Sequence, residues 1–286
     1  MPEYDIVIPV SYKDCWFLRK NIPYIRRNLV GAQKIYVLTS LGCFDEFSQE
    51  FCDVYNVVLL NENELVTGLS YPIVRNALSQ HQMSDMTGWY FQQFLKMAFA
   101  LSVYVGDYYL VWDADTIPLH SITFFAGETI LINPKKEYHK PYFETLQRLF
   151  GIGKNAEYSF ISEHMMMKRS IIIEMIQSIS AEGNWWDAII EKCDFTKKQA
   201  FSEFEAIGTY CLVHHPELYQ LRHLSTFRGG GSLFGRQVTD KELTLLGVDF
   251  DTVSFERNAK PLFPRSIRWG LERLLVELKY RIKCTN

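Results

Sequence analysis

Short apolar runs separated by helical patterns govern the first 60 residues, and they leave few folds open. Tyr4 to Val10 is nearly continuous in apolar residues, the composition of a strand buried on both faces. Pro9 near its end cannot donate to a ladder, so pairing should stop there and a loop open over Ser11 to Asp14. From Asp14 to about Leu29 the spacing is helical, and residues 34–40 and 54–60 read as two further strands. Strand, helix, strand, short helix, strand predicts an α/β fold with a mostly parallel central sheet flanked by helices. The length of 286 residues suits one large domain with a small appendage. The expected division is a domain over 1–258 and a helical tail over 259–286.

The stretch Asp107 to Thr116 carries the first chemical signal. Tyr108 to Trp112 forms a strand-like apolar run that ends directly on Asp113-Ala114-Asp115. Strand alternation points both carboxylates to one side, at the strand end where open α/β sheets bind ligands. Two hard oxygen ligands there suit Mg²⁺ or Mn²⁺ carrying a diphosphate. The chain contains a control: Asp249-Phe250-Asp251 has the same spacing without a strand before it, and reads as a solvated turn.

Several classes are excluded. No G-x-G-x-x-G follows the first strand and no G-x-x-x-x-G-K-[ST] occurs, which argues against a dinucleotide site and a P-loop. The six cysteines include no C-x-x-C pair, so a zinc or redox motif is not expected. A net charge of −3 gives no basic footprint for nucleic acid. The first residues start on a strand rather than on a signal-like segment, and no apolar run is long enough to span a bilayer. The expected location is cytoplasmic.

Residues 89–104 read as a helix that is apolar almost all round. Gln92, Gln93 and Lys96 share one arc of it, which is either a solvent stripe or a face turned to the cleft, where Lys96 would meet a phosphate. Arg75 is a second phosphate candidate, or a plain surface arginine. Residues 129–133 and 158–167 read as strands, the second carrying Glu163 and His164. Lys135 to Gly153 between them reads as an acceptor-side flap.

Ser202-x-x-Glu205 has the form of a capping box at the start of a helix. It accounts for Glu205 and leaves Glu203, on another side of the first turn, to bind a sugar hydroxyl or act as a base. A helix N-terminus lowers a carboxyl pKa, which opposes that second role, and a neighbouring diphosphate would raise it again. Arg228-Gly229-Gly230-Gly231 would let backbone approach an anion, or is simply a flexible loop. Of His214, His215 and His223, the last is the best ligand candidate because it precedes this loop.

In the tail, Ile267, Leu271, Leu274, Leu275, Leu278 and Ile282 form one helical stripe. Arg265, Arg268, Lys279 and Lys283 gather on its flank, and Trp269, Val276 and Tyr280 lie opposite. The expectation is that the Leu/Ile face docks on the domain. The aromatic patch would then rest on an anionic membrane surface, making the protein peripheral at the inner face of the membrane.

Taken in order, Ile6-Val7-Ile8-Pro9-Val10, Gly88 to Lys96, the strand into Asp113-Ala114-Asp115, Ser162-Glu163-His164-Met165 and Ser202-Glu203-Phe204-Glu205 resemble bacterial GT-A-fold glycosyltransferases that build capsule and O-antigen polysaccharides. The resemblance covers residues 4–235. It implies a GT-A-like, Rossmann-related sheet, a nucleotide-sugar donor with a UDP-sugar as first choice, and Mn²⁺ or Mg²⁺. It further implies metal binding by Asp115, ribose or metal binding by Asp113, base reading by Asp14 and a late metal-ligating His, here His223. The usual Glu-Asp pair is missing from Ser-Glu-Phe-Glu.

The expected activity is transfer of a sugar from a nucleoside diphosphate sugar to a hydroxyl of a glycan or lipid-linked glycan. Glu203 and Asp115 are the catalytic candidates: Glu203 deprotonates the acceptor if the enzyme inverts, and orients hydroxyls if it retains. Candidate donor contacts are Pro9, Asp14, Arg75, Gln92, Gln93, Lys96, Asp113, His164, Arg228 and Gly229, and candidate metal ligands are Asp113, Asp115 and His223. The alternatives are a nucleotidyltransferase, opposed by the absence of a glycine-rich basic loop after the first strand, and a non-catalytic glycan-binding protein, opposed by the intact aspartates.

Overall fold

Strands occur along the chain at β1 (Tyr4–Pro9), β2 (Ala32–Thr39), β3 (Val57–Asn61), β4 (Tyr108–Trp112), β5 (Thr116–Pro118), β6 (Phe125–Ala126), β7 (Thr129–Ile132), β8 (His164–Lys168), β9 (Tyr219–Leu221), β10 (Thr226–Phe227) and β11 (Thr252–Ser254). The helices are α1 (Cys15–Asn28), α2 (Gln49–Tyr55), α3 (Tyr71–Ser79), α4 (Thr87–Ala98), α5 (Lys140–Phe150), α6 (Arg169–Ile179), α7 (Trp185–Lys192), α8 (Glu203–His214), α9 (Gly230–Phe234), α10 (Asp240–Leu246) and α11 (Arg265–Thr285). This computed structural model describes residues 2–180 and 183–285, excluding the side chains of 272, 276, 279, 280 and 283–285.

The central sheet has the order β3-β2-β1-β4-β8. Its first four strands are parallel, and β8 pairs antiparallel with β4. The expected mostly parallel sheet is thus present, because β1 and β4 are nearly continuous in apolar residues and lie buried in the middle of it apart from Asp5 and Tyr108. Val7 pairs with Val111, and continuing that register brings Pro9 level with Asp113. A small sheet, β10-β11-β5, lies beyond that end. It has its own apolar cluster of Phe17, Ile117, Val238, Leu243, Leu246, Val253 and Phe255.

Four sequence expectations need correction. The third strand begins at Val57: residues 54 and 55 finish α2, where the Ser48 hydroxyl accepts from the Phe51 N–H and Asn56 closes the helix at φ 53°. The strand expected at 158–167 is regular only from His164. Lys135 to Gly153 is not a flap, because it contains α5, which buries Phe143, Thr145 and Leu146. The Thr145 hydroxyl also donates to the Ala200 carbonyl at 2.7 Å.

The fourth correction concerns α11, which lies the other way round from the expectation. Its half-buried Trp269 faces the domain, lining a cleft with Trp16 and Arg236. Glu277 on the same side takes the Lys13 ammonium at 2.6 and 2.7 Å. The stripe of Ile267, Leu271, Leu274, Leu275, Leu278 and Ile282 faces solvent, each residue 48–61% exposed. The helix is held by one indole and by ion pairs, including Arg265 with Glu242. Those contacts turn Trp269 inward and leave the aliphatic stripe uncovered. Val276, Tyr280, Lys279 and Lys283, which completed the expected patches, have side chains outside the described residues.

Candidate functional site

The site is built at the end of β4. The Asp113 N–H donates to the Glu163 carbonyl at 2.9 Å, and the Thr116 N–H returns to the Asp113 carbonyl at 3.1 Å. Asn21 of α1, fully buried, fixes this turn: its amide nitrogen donates to the carbonyls of Ala114 at 3.2 Å and Thr116 at 2.6 Å. The Phe255 N–H donates to the Asp115 carbonyl at 2.9 Å. Both aspartates are therefore held by backbone on either side, in a turn that the buried amide of Asn21 makes rigid.

Lys96 comes up from α4 beneath Asp113. Its ammonium lies 3.0 Å from Asp113 Oδ1 and 2.8 Å from Glu203 Oε1, and 4.5 Å above the Phe204 ring. Burial opposes its charge, but the two carboxylates outweigh burial and raise its pKa above the ordinary lysine value. Gln93 completes the arrangement, its side-chain oxygen accepting the Glu203 N–H at 3.0 Å. The arc of α4 is thus not a solvent stripe. Gln93 and Lys96 are buried against α8, and Gln92 beside them is half-buried.

Glu205 departs from the capping box. Ser202 accepts the Glu205 N–H at 3.4 Å, but the Glu205 carboxylate turns away to accept from the Ser159 hydroxyl at 2.7 Å and the Phe160 N–H at 3.1 Å. Two buried donors on the irregular segment before β8 need a partner more than the helix start does.

A second charged group adjoins the first. Glu163, buried, pairs with Lys135 at 3.1 Å and with Arg228 Nε at 3.3 Å. The guanidinium of Arg228 also reaches Glu137, and its charge acts on Asp113 and Glu256. Burial first, and then the Asp113 carboxylate, push the Asp115 carboxyl up to about 7, while Arg236 pulls it down. Asp14 accepts from the Ser11 hydroxyl at 2.7 Å and from Arg236 Nη1 at 2.6 Å.

Other candidates do not join this cluster. Arg75 is exposed on α3 and makes no hydrogen bond or ion pair with it. His223 is exposed on the loop between β9 and β10, and among the described residues no three His, Cys, Asp or Glu side chains form a metal-holding group. His164 is enclosed in the core, stacked on Trp112 with centroids 5.0 Å apart and edge-on to Phe124. Burial, followed by the charges of Arg222 and Lys135, lowers its pKa to about 3, which keeps it neutral.

The glycine run also serves a different end. A Cβ on Gly229 would lie 2.5 Å from the Phe227 ring, one on Gly230 2.8 Å from the Ser254 carbonyl, and one on Gly231 2.9 Å from the Glu256 carbonyl. The close approach is to the chain's own β11 edge. Asp249-Phe250-Asp251 is a turn, as expected, with an Asp251 oxygen accepting the Ser225 N–H at 2.8 Å.

A family model described as "Family of unknown function (DUF6492)" matches residues 30–217. The chain belongs to this family. The DUF6492 match spans β2 through the whole of α8 and so includes Lys96, Asp113, Asp115, Glu163 and Glu203. No curated protein matches the chain.

Among solved structures, the chain is similar to mouse xyloside xylosyltransferase 1, with 12% identity and a TM-score of 0.49 over 90% of this chain and 99% of that one. It is similar to the galactosyltransferase LgtC, with 9% identity and a TM-score of 0.43 over 94% of each chain. It is also similar to the glycosyltransferase GlyE of Streptococcus pneumoniae TIGR4, with 11% identity and a TM-score of 0.45 over 99% of this chain and 64% of that one.

Lys135 and Glu137, which pair with Glu163 and Arg228, were not singled out from sequence, and neither were Asn21 and Arg236. Asn21 is a polar residue on the face of α1 that carries Leu18, Ile22 and Ile25, and that misfit was the available signal. Arg236 gave none, since one arginine in a polar loop looks like surface.

Proposed function

We propose that this protein transfers a sugar from a nucleoside diphosphate sugar, a UDP-sugar as first choice, to a hydroxyl of a glycan or lipid-linked glycan. The observation that carries the reading is the buried Lys96 ammonium bridging Asp113 and Glu203 at the end of β4. Asp113, Asp115 and Glu203 gather three carboxylates here, and Lys96 pairs directly with only two of them, which suits a divalent cation with its diphosphate. The donor set fits Mg²⁺ or Mn²⁺: Asp115, and Asp113 through the oxygen that Lys96 leaves open, would hold it, with phosphate oxygens and water completing the shell. When bound, the cation would supply charge stabilisation to the departing diphosphate.

In the reaction the acceptor oxygen bonds to the anomeric carbon, the bond from that carbon to the diphosphate breaks, and the hydroxyl proton passes to the departing diphosphate or to solvent. Lys96 has three N–H donors and spends two on carboxylates, so the third is available to a phosphate oxygen. Glu203 positions Lys96. Its carboxylate is taken up by the Lys96 ammonium, and we assign it to holding Lys96 and orienting sugar hydroxyls. Arg228 and Lys135, paired with Glu163 beside this group, add positive charge to the site.

The reading extends to residues 1–258 as the catalytic unit and 259–286 as its attachment helix. The solvent-facing Leu/Ile stripe of α11, in a segment rich in lysine and arginine, matches an anionic lipid surface in both polarity and charge. No described helix is long and apolar enough to cross a membrane, so attachment would be peripheral, at the inner, cytoplasmic face. A product built on lipid there would be a cell-surface polysaccharide such as capsule or O-antigen.

The test is release of free nucleoside diphosphate from a panel of UDP- and GDP-sugars with and without Mn²⁺. Metal-dependent release from one donor is expected. Absence of both release and binding across the panel would refute the reading.

A further inference from the structure

Arg236 is 6% exposed, and only one of its nitrogens has a partner. Nη1 donates to Asp14 Oδ1 at 2.6 Å, while Nε and Nη2 are buried without any hydrogen bond. Those two nitrogens are the parallel side-on edge of the guanidinium, the one that grips a carboxylate or phosphate with two bonds. The plane is held in place: its central carbon lies 4.5 Å from the Phe17 ring centroid and 5.3 Å from that of Trp16. A fixed, buried cation with an open fork is costly unless a partner fills it.

The surroundings indicate the partner's charge. Arg236 lines a cleft between the loop after β1 and helix α11, together with Lys13, Trp16, Arg257, Trp269, Arg273 and Glu277. Four cations there face two carboxylates, Glu277 in the cleft and Asp14 on Arg236. Glu277 already sits on Lys13, and the charges of Arg257 and Arg273 act on it too. A side chain of α11 thus occupies part of a basic site with a single negative charge. A monoanion would need only the fork, whereas the excess of cations suits a dianion. The cleft is also linked to the aspartate turn, because the charge of Arg236 acts on Asp115.

We propose that the open edge of Arg236, with Arg257 and Arg273, binds a phosphate group. The phosphate comes either from a nucleoside diphosphate or from a phosphate-bearing molecule without a nucleoside. The binding claim stands on this geometry alone, and only a nucleotide source rests on the glycosyltransferase reading above.

Calorimetric titration of the full chain with UDP plus Mn²⁺, and separately with inorganic pyrophosphate, tests it. The variants are Arg236→Lys, which keeps the charge and loses the fork, and Arg257→Ala, a half-buried position that should not disturb folding. At least one of the two probes should bind the wild type, and its affinity should fall tenfold or more in each variant. Loss confined to UDP assigns the site to the nucleotide. Loss confined to pyrophosphate, with no UDP binding by wild type, supports the site and counts against the nucleotide-sugar reading. Unchanged affinity for both probes in both variants, or binding of neither probe by wild type, would overturn the inference.

Discussion

The Lys96 ammonium lies 2.8 Å from Glu203 Oε1, joining the last turn of α4 to the first residue of α8. Both side chains are 6% exposed, and the same ammonium holds Asp113. One lysine therefore sets the distance between the strand-end carboxylate and the helix-start carboxylate.

Removing Lys96 should cost stability as well as activity. Lys96→Met leaves two carboxylates crowded without their cation, and loss of one partner of a buried pair costs about 3 kcal/mol or more. Urea unfolding at pH 7 should show this loss, and Lys96→Met combined with Glu203→Gln should recover part of it. A double variant that loses the sum of the two single effects would show that the pair is not coupled.

Glu203→Gln separates positioning from base catalysis. If Glu203 holds Lys96, turnover should fall by about tenfold or less, with the pH profile unchanged. A general base would instead cost about 10²–10⁴-fold and remove the acidic limb of the profile. The larger loss with that limb gone would return Glu203 to the role of base.

His164 predicts a pH dependence of stability. Its folded pKa of about 3 lies below the unfolded value near 6.5, so below about pH 6.5 only the unfolded chain takes up the proton. Stability should fall as the pH drops from about 6.5 towards 3, at up to about 1.4 kcal/mol per pH unit. His164→Leu should flatten that slope in unfolding midpoints measured between pH 7 and 5. An unchanged slope would mean that other groups carry the acid sensitivity.

The stripe of α11 should bind anionic vesicles weakly and in a salt-sensitive way. Leu271→Ser with Leu275→Ser, or truncation after Arg257, should abolish co-sedimentation with phosphatidylglycerol vesicles at low salt. Equal sedimentation of all three chains would remove the helix as an attachment surface.

The sheet was legible in the sequence because its inner strands β1 and β4 are largely buried on both faces and therefore read as nearly continuous apolar runs. The aspartate turn was legible for the same reason: Asp113 interrupts such a run. The role of Gln93 and Lys96 was only half legible. Their shared arc is visible in the spacing, but its direction depends on α8 packing against α4, a contact between positions more than 100 residues apart. The orientation of α11 was misread because burial of the larger aliphatic stripe is the usual outcome. Here Trp269 and the Lys13–Glu277 pair set the contact instead, and both partners on the domain are distant in sequence. Glycines 229–231 could not be interpreted from sequence, since a close approach to a ligand and one to a neighbouring strand demand the same residue.

The most direct test of the central claim compares two carboxylates with identical local spacing. Mn²⁺-dependent release of nucleoside diphosphate should be measured for the wild type, Asp115→Ala and Asp249→Ala, using the donor that the panel identifies. Asp115→Ala is expected to abolish the metal-dependent release with its fold intact, and Asp249→Ala, in an exposed turn, to match the wild type. Wild-type release by Asp115→Ala, or an equal loss in both variants, would contradict a nucleotide-sugar site at the end of β4.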